Sequence, residues 1–313
     1  MVLAGWRCGY KLRCRVVDQV ASRMSKPKTY VLASDIHYPH HDSPSIAAFF
    51  DFVTRNKATI DGIVLMGDML DFAEIAHHTS GKPLHRERGS LMRNIEGFDH
   101  EILTRLEKLL PGKEKVFILG NHERFLEADL IETQPELEGA ISIERLLRLK
   151  ARGWKVIPLG GSFHKLGHLH VLHGDVITGG IHHTKRAVET WACNVVYGHY
   201  HSLSSFTKCA ASHESRKWTA WSIPTLGTVR PGYLRGKGNA HIHGFAICYV
   251  RTNDDFNLYP VTIVEGRFSY GGEDYGDEKG IKGRTGKANR TKNRRPSAMP
   301  KSVSAKAGSK GKT

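Results

Sequence analysis

Asp35-Ile36-His37, Gly67-Asp68, Gly120-Asn121-His122-Glu123, His173-Gly174-Asp175 and Gly198-His199-Tyr200-His201 share one property. Each closes a short apolar run, and each carries side chains that bind metal ions. The runs are Tyr30–Ser34, Ile63–Met66, Val116–Leu119, Leu169–Leu172 and Val195–Tyr197. Carboxylates and an amide oxygen are hard ligands, and imidazoles are borderline ones. A mixed nitrogen and oxygen set favours Mn²⁺, Fe or Zn²⁺ over Mg²⁺ or Ca²⁺, which prefer oxygen alone. The absence of cysteine argues against a structural zinc site. One such ending carries little weight, but five in order point to a shared site for two metal ions.

Strands must position these residues. In open α/β sheets, ligand sites form at the C-terminal edge of the strands, where the loops converge. Five loops at one edge bring together Asp35, His37, Asp68, Asn121, His173, His199 and His201. Between the runs, apolar residues recur at helical spacing. Ile46, Phe49, Phe50 and Val53 predict a helix over Ser45–Lys57, with Ser43-Pro44 as its cap and first turn. Ile95, Phe98, Ile102, Leu106 and Leu109 predict another over Ile95–Leu110, stopped by Pro111-Gly112, and a shorter one spans Ile143–Lys150. After His201 the pattern changes to strands over Trp218–Ile223, His241–Val250 and Asn257–Val264. The expectation is an α/β chain with βα units first and β structure after, packed as two sheets. There is no internal repeat.

The five blocks resemble the calcineurin-like metallophosphoesterase superfamily, whose signature runs D-x-H, G-D-x-x-D, G-N-H-D/E, a histidine turn and G-H-x-H. All five are present in order, from Asp35 to His201, with Gly67-Asp68-Met69-Leu70-Asp71 as the second. The resemblance implies a four-layer sandwich, two mixed β-sheets flanked by α-helices. It implies that Asp35, His37 and His201 hold one metal, that Asn121, His173 and His199 hold the second, and that Asp68 bridges them. Such a pair, about 3.5–4 Å apart, activates a water and clamps phosphoryl oxygens. His122 would protonate the leaving oxygen, and Asp71 would orient His122 and raise its pKa. The chain departs from the protein phosphatases of the superfamily, which follow the second block with Arg-Gly; here Phe72-Ala73 stands. Glu123 departs from the Asp usual in repair nucleases. The Gly120–Arg124 stretch followed by Pro135–Leu137 is similar to metallophosphoesterases often carried by bacteriophages.

Other residues carry two readings each. Arg124 either pairs with a phosphate oxygen or is an exposed residue at a helix start. The polar loop His77–Ser90 either lines the substrate cleft through Arg86 and Arg88 or is solvated. His40 and His41 follow the first block closely and either approach the site or are exposed loop histidines. His182 and His183 precede a helix and either meet substrate or pack. His241 and His243 read as histidines on one strand face. Trp218 and Trp221 stack bases or sit in the core, the usual place at strand spacing.

The net charge of +15 is not evenly spread over the 313 residues. Residues 279–313 hold 12 Lys and Arg and no acid, and residues 1–28 hold seven against Asp18 alone, which leaves 27 basic and 30 acidic residues for 29–278. Basic ends on a near-neutral body attract polyanions by counterion release. The expected organisation is a basic extension (1–28), a catalytic domain (29–270) and a basic tail (271–313) too polar to order itself. Five scattered cysteines with no C-x-x-C argue against a disulfide framework. No apolar run nears the roughly 18 residues of a membrane span, and no secretory h-region is present. These features suit a cytoplasmic protein. The expected function is a dinuclear phosphoester hydrolase, preferably a phosphodiesterase acting on DNA, RNA or nucleotides. A phosphomonoesterase and a metal-stabilised nucleic-acid binder without turnover are the alternatives. Related nucleases dimerise, so a homodimer is compatible with the sequence, although no interface is legible. The core pattern begins only at Thr29, which makes Met24 an alternative start to Met1. Intact-mass analysis of protein made from its native message is expected to give a chain starting at Met24; a mass that includes residues 1–23 would refute it.

Overall fold

The computed structural model describes residues 26–75, 90–133, 135–137, 139, 141–210, 213–230 and 238–276. The expectations for the N-terminal extension, for Arg86 and Arg88, and for the tail beyond 276 lie outside these residues. In chain order the elements are β1 (Lys28–Ala33), α1 (Ser43–Asn56), β2 (Gly62–Met66), α2 (Ser90–Phe98), α3 (Thr104–Leu109), β3 (Glu114–Ile118), α4 (Asn121–Thr133), α5 (Ile143–Leu146), β4 (Lys155–Ile157), β5 (His164–Leu166), β6 (Leu169–Leu172), α6 (His183–Trp191), β7 (Asn194–Tyr197), β8 (Ser204–Ala210), β9 (His213–Ser222), β10 (Gly244–Val250), β11 (Phe256–Thr262), β12 (Phe268–Tyr270) and β13 (Glu273–Tyr275).

Two mixed sheets result. The first runs β11-β10-β1-β2-β3-β4, with β1 to β4 parallel and β10 and β11 antiparallel. The second runs β5-β6-β7-β9-β8, parallel through β6, β7 and β9. Strand side chains alternate between faces, and here both faces of the first sheet are apolar. Val31, Ala33, Ile63, Leu65 and Phe117 face a core shared with Phe49 and Phe50 of α1 and with Phe98 and Leu106 of the α2–α3 segment. Tyr30, Leu32, Val64, Met66, Val116 and Ile118 face Leu169, Val171, Val196 and Ile223 of the second sheet. A third core packs Val195, Tyr197 and Ala220 against Ala187 and Val188 of α6. Three cores separate four layers, the sandwich expected from the sequence.

The differences from the sequence pattern have local causes. α1 begins earlier because Asp42 caps it, accepting from Ser45 N–H at 3.0 Å. The second helix starts at Ser90 and contains a π-turn over Asp99–Leu103. That turn brings Asp99 and Thr104 within 3.0 Å, and both bond Arg152, which also pairs with Glu107. α5 stops at Leu146, and Leu149 N–H reaches back to Glu144 O across a left-handed Arg148. β10 starts at Gly244, so His241 and His243 precede the strand and do not share its face. Trp221 packs edge-on against Phe256 at 5.8 Å, a core position.

The folded part also runs past residue 270. β12 and β13 form a hairpin over Phe52 of α1, whose ring lies 5.2 Å from Tyr275 and 6.1 Å from Phe268. Tyr275 stacks on Phe268 at 5.0 Å, and Gly276 N–H donates to Asp51 Oδ2. These aromatic contacts make the hairpin part of the core. A chain ending at 270 is therefore expected to be less stable than one ending at 276 by about 3 kcal/mol, read from the urea unfolding midpoint. Equal midpoints would restore the boundary at 270.

Candidate active site

Strand ends at one edge of both sheets deliver the metal-ligand candidates, and they do so through an unfavourable backbone. Asp35 (φ 55°), His37 (50°), Asp68 (53°), His199 (61°) and His201 (53°) all lie in the left-handed region, which costs about 1–2 kcal/mol for a residue with a Cβ. Hydrogen bonds between loops hold these turns. Asp35 N–H donates to Gly67 O (3.1 Å), His37 N–H to Asp68 O (2.9 Å), and Gly198 N–H to His173 O (2.8 Å). Asp35 O accepts from Gly227 N–H (2.8 Å) and Thr225 Oγ1 (2.7 Å). Two motif glycines are there for space. A Cβ on Gly120 would collide with Asp68, and one on Gly198 would collide with Ser34 and Asp35.

The side chains converge as two groups. Asp35, His37 and His201 bring one ligand atom each within 4.8 Å of one another, and so do Asp68, His173 and His199. Asn121 Oδ1 lies 3.0 Å from His173 Nε2. All seven sequence candidates thus meet at one place.

The residues fit divalent ions. His37 Nδ1 is held by the Asp71 carboxylate (3.1 Å) and His173 Nδ1 by the Met66 carbonyl (2.9 Å), which turns both Nε2 lone pairs into the site. His37 Nε2 faces His201 Nε2 at 3.1 Å, an approach that a shared cation stabilises. Asp35 and Asp68 are buried. Among the described residues their ion-pairing partners are imidazoles only. Burial would raise the Asp35 carboxyl, but His201 at 3.2 Å outweighs it and holds the pKa at about 2. The same contest, won by His173 and His122, holds Asp68 well below the usual carboxylate range. Burial favours neutral His173, yet Asp68 at 3.2 Å pushes its pKa up to about 10. These are ionised carboxylates calling for positive charge inside the protein.

His122 and Asp71 stand beside this site, and Asp71 meets His122 through its backbone carbonyl more closely than through its carboxylate. The Asp71 carboxylate bonds His37, while its backbone carbonyl accepts from His122 Nδ1 at 2.6 Å. The carboxylate is 3.6 Å from the same nitrogen. His122 Nε2 lies 3.8 Å from Asp68 Oδ2. Burial lowers the His122 pKa, but Asp68 and the Asp71 carbonyl more than offset it, and the net shift is upward.

Glu123 is the residue that sequence reasoning missed, having treated it only as a departure from a pattern. It is buried, and it accepts backbone N–H bonds from Asp68 (2.9 Å), Met69 (2.7 Å), Leu70 (3.2 Å) and Gly120 (2.7 Å). It therefore ties the second block to the third. The available signal was a Glu three residues after Gly120 at a helix start, where such a side chain reaches back to the cap N–H. Asp68 Oδ1 caps the same helix, accepting from His122 N–H at 2.9 Å.

The remaining candidates separate clearly. Arg124 is exposed on the first turn of α4. His183 packs: its Nδ1 bonds Tyr197 Oη (2.7 Å) and its ring stacks on Tyr200 at 3.9 Å. Tyr200, between two candidate ligands, also donates to Ile177 O (2.6 Å), so this stack braces the last block. His40 approaches the site, with Nε2 3.8 Å from Asp71 Oδ2. His41 stacks on Tyr38. His241 lies against His201, and burial lowers its pKa to about 4.

Two mixed sheets carrying a site of this composition at their strand ends define a metal-binding hydrolase of phosphoester bonds. The chain belongs to the calcineurin-like phosphoesterase family, whose model matches residues 28–222. Solved structures similar to it include vacuolar protein sorting 29 from Cryptosporidium parvum, with 12% identity over 81% of this chain and 100% of that one (TM-score 0.42). A nuclease MPE from Pseudomonas putida shows 14% identity over 74% of this chain and 86% of that one (TM-score 0.31). A dimetal phosphatase from Danio rerio shows 11% identity over 80% and 97% (TM-score 0.37). No curated protein matches the sequence.

Because Glu123 satisfies four N–H groups, Glu123→Gln turns an amide toward donors and leaves buried groups unpaired. The expected loss is about 2–4 kcal/mol of stability together with reduced metal content, read by denaturant unfolding and elemental analysis. A variant that keeps both would show that the two loops hold themselves.

Proposed function

We propose that the chain is a dinuclear metal-dependent phosphodiesterase acting on nucleic acid or nucleotides, with Mn²⁺ as its working ion. Asp35, His37 and His201 would hold one ion, Asn121, His173 and His199 the other, and Asp68 would bridge them. When bound, such ions supply Lewis acidity and make water a nucleophile near neutral pH. The chain's own residues do the rest. His122 keeps a proton on Nδ1 for the Asp71 carbonyl, so its titrating proton sits on Nε2, facing the site. That proton passes to the leaving oxygen as the phosphorus–oxygen bond breaks, and neutral imidazole remains. Asp71 holds His37 and His122 in register, and Asp68 at 3.8 Å favours the protonated ring.

The observation behind the preference for diesters is Phe72-Ala73, buried where phosphatases of the superfamily carry Arg-Gly. An arginine there pairs bidentately with phosphate oxygens, which suits the second negative charge of a monoester. A diester lacks that charge and needs the arginine less. The basic ends of the sequence fit a polyanionic substrate.

The test compares the Mn²⁺-loaded protein on bis-p-nitrophenyl phosphate and p-nitrophenyl phosphate, followed by single- and double-stranded DNA and RNA. The diester is expected to react faster, and His122→Ala is expected to lower kcat by about 10²–10⁴-fold with metal content retained. Faster monoester turnover would overturn the diester assignment. No turnover of either ester by the parent, with nucleic acid bound, would favour a binder.

A further inference from the structure

The site gives the metal ions seven candidate ligands and the leaving oxygen one acid, but among the described residues it offers the substrate's other phosphoryl oxygens few donors. Phe72 and Ala73 are buried apolar residues, and Arg124 faces solvent on α4. His241 is better placed. Its ring centroid lies 4.7 Å from that of His201, tilted by 64°. The backbone holds it there. Ile242 N–H donates to His201 O (2.8 Å), His241 N–H donates to Asn239 Oδ1 (2.9 Å), and Asn239 Nδ2 donates to Val229 O (2.7 Å). The stretch before this turn is tied to the first block in the same way, through Gly227 N–H to Asp35 O (2.8 Å) and Thr228 N–H to His40 O (2.9 Å).

The ring is half-buried, and among the described residues its buried Nδ1 has no hydrogen-bond partner. A buried N–H with no acceptor is rarer than an unsatisfied acceptor. The neutral ring therefore carries its proton on Nε2, and a protonated ring carries one there as well. In either charge state Nε2 is a donor.

We infer that His241 is a substrate-contacting residue whose Nε2–H donates a hydrogen bond to a non-bridging phosphoryl oxygen beside His201. The inference rests on the phosphoesterase reading. It gives the substrate a single donor where the phosphatases have an arginine's several, in keeping with a substrate of lower charge.

Inorganic phosphate is the probe. Calorimetry on the Mn²⁺-loaded parent, His241→Ala and His241→Gln gives its dissociation constant, alongside metal content and thermal midpoint. The Ala variant is expected to bind phosphate about tenfold more weakly, with metal content and midpoint retained, and its KM for bis-p-nitrophenyl phosphate should rise more than its kcat falls. Gln, whose amide donates from near the Nε2 position, should restore part of the affinity. Unchanged phosphate affinity in the Ala variant would overturn the assignment. So would a loss that follows loss of metal, which would make His241 a support for His201 alone, or a parent that binds no phosphate. Phosphate binding that depends on His241 in a parent inert toward every ester would instead refute the phosphoesterase reading and leave this contact standing.

Discussion

Two ionised carboxylates, Asp35 and Asp68, lie buried near the sheet edge, and that charge is the constraint on which the rest of the site depends. Taken from water without compensation, each would cost several kcal/mol. Beside Asp68, His173 offsets that cost by holding a proton, its pKa pushed up to about 10. A pair of divalent ions would complete the balance, because the same oxygens and ring nitrogens that crowd one another at 3.0–3.2 Å become ligands of a common centre. His37 and His173 are already oriented for this by partners on their far nitrogens, Asp71 and the Met66 carbonyl.

Bringing five loops to one point requires backbone conformations that side chains resist. Five candidate ligands accept left-handed φ values, a combined strain that no single loop would keep. It persists because the loops bond to one another and not only to themselves. Glu123 collects four N–H groups from two blocks, Asp35 O is held from the turn at Thr225–Gly227, and the His183–Tyr200 stack braces the turn between His199 and His201. Beneath them, the apolar faces of β1, β2 and β3 fix the strand ends on both sides of the first sheet. The strain is offset by cores far larger than any loop.

The sequence exposes most of this for a physical reason. Ligand chemistry admits few residue types, and strand ends are marked by apolar runs that stop abruptly, so all seven ligand candidates and the βα order could be read directly. What could not be read were interactions that depend on three-dimensional approach. Asp71 serves His37 with its carboxylate and His122 with its carbonyl, a division no spacing encodes. Glu123 looks like a subfamily marker until its four donors are in view. His241 and His243 alternate as strand residues do, yet a hydrogen bond from Ile242 to His201 holds His241 against His201, while His243 faces Asp42. The hairpin around residue 270 is rich in glycine and acid, and Tyr275 is buried there by Phe268 and by Phe52, Arg55 and Asn56 of α1, over two hundred positions earlier.

Selectivity among phosphoesters follows from where the remaining positive charge is placed. The metal-binding core would be common to monoesterases and diesterases, since both need an activated water and a protonated leaving group. A fixed arginine over the phosphate would add affinity for a dianion and would cost a diester nothing but space. In this chain that position holds Phe72, buried in the same core as Met69 and Leu70. The apolar choice at this position is therefore structural as well as chemical.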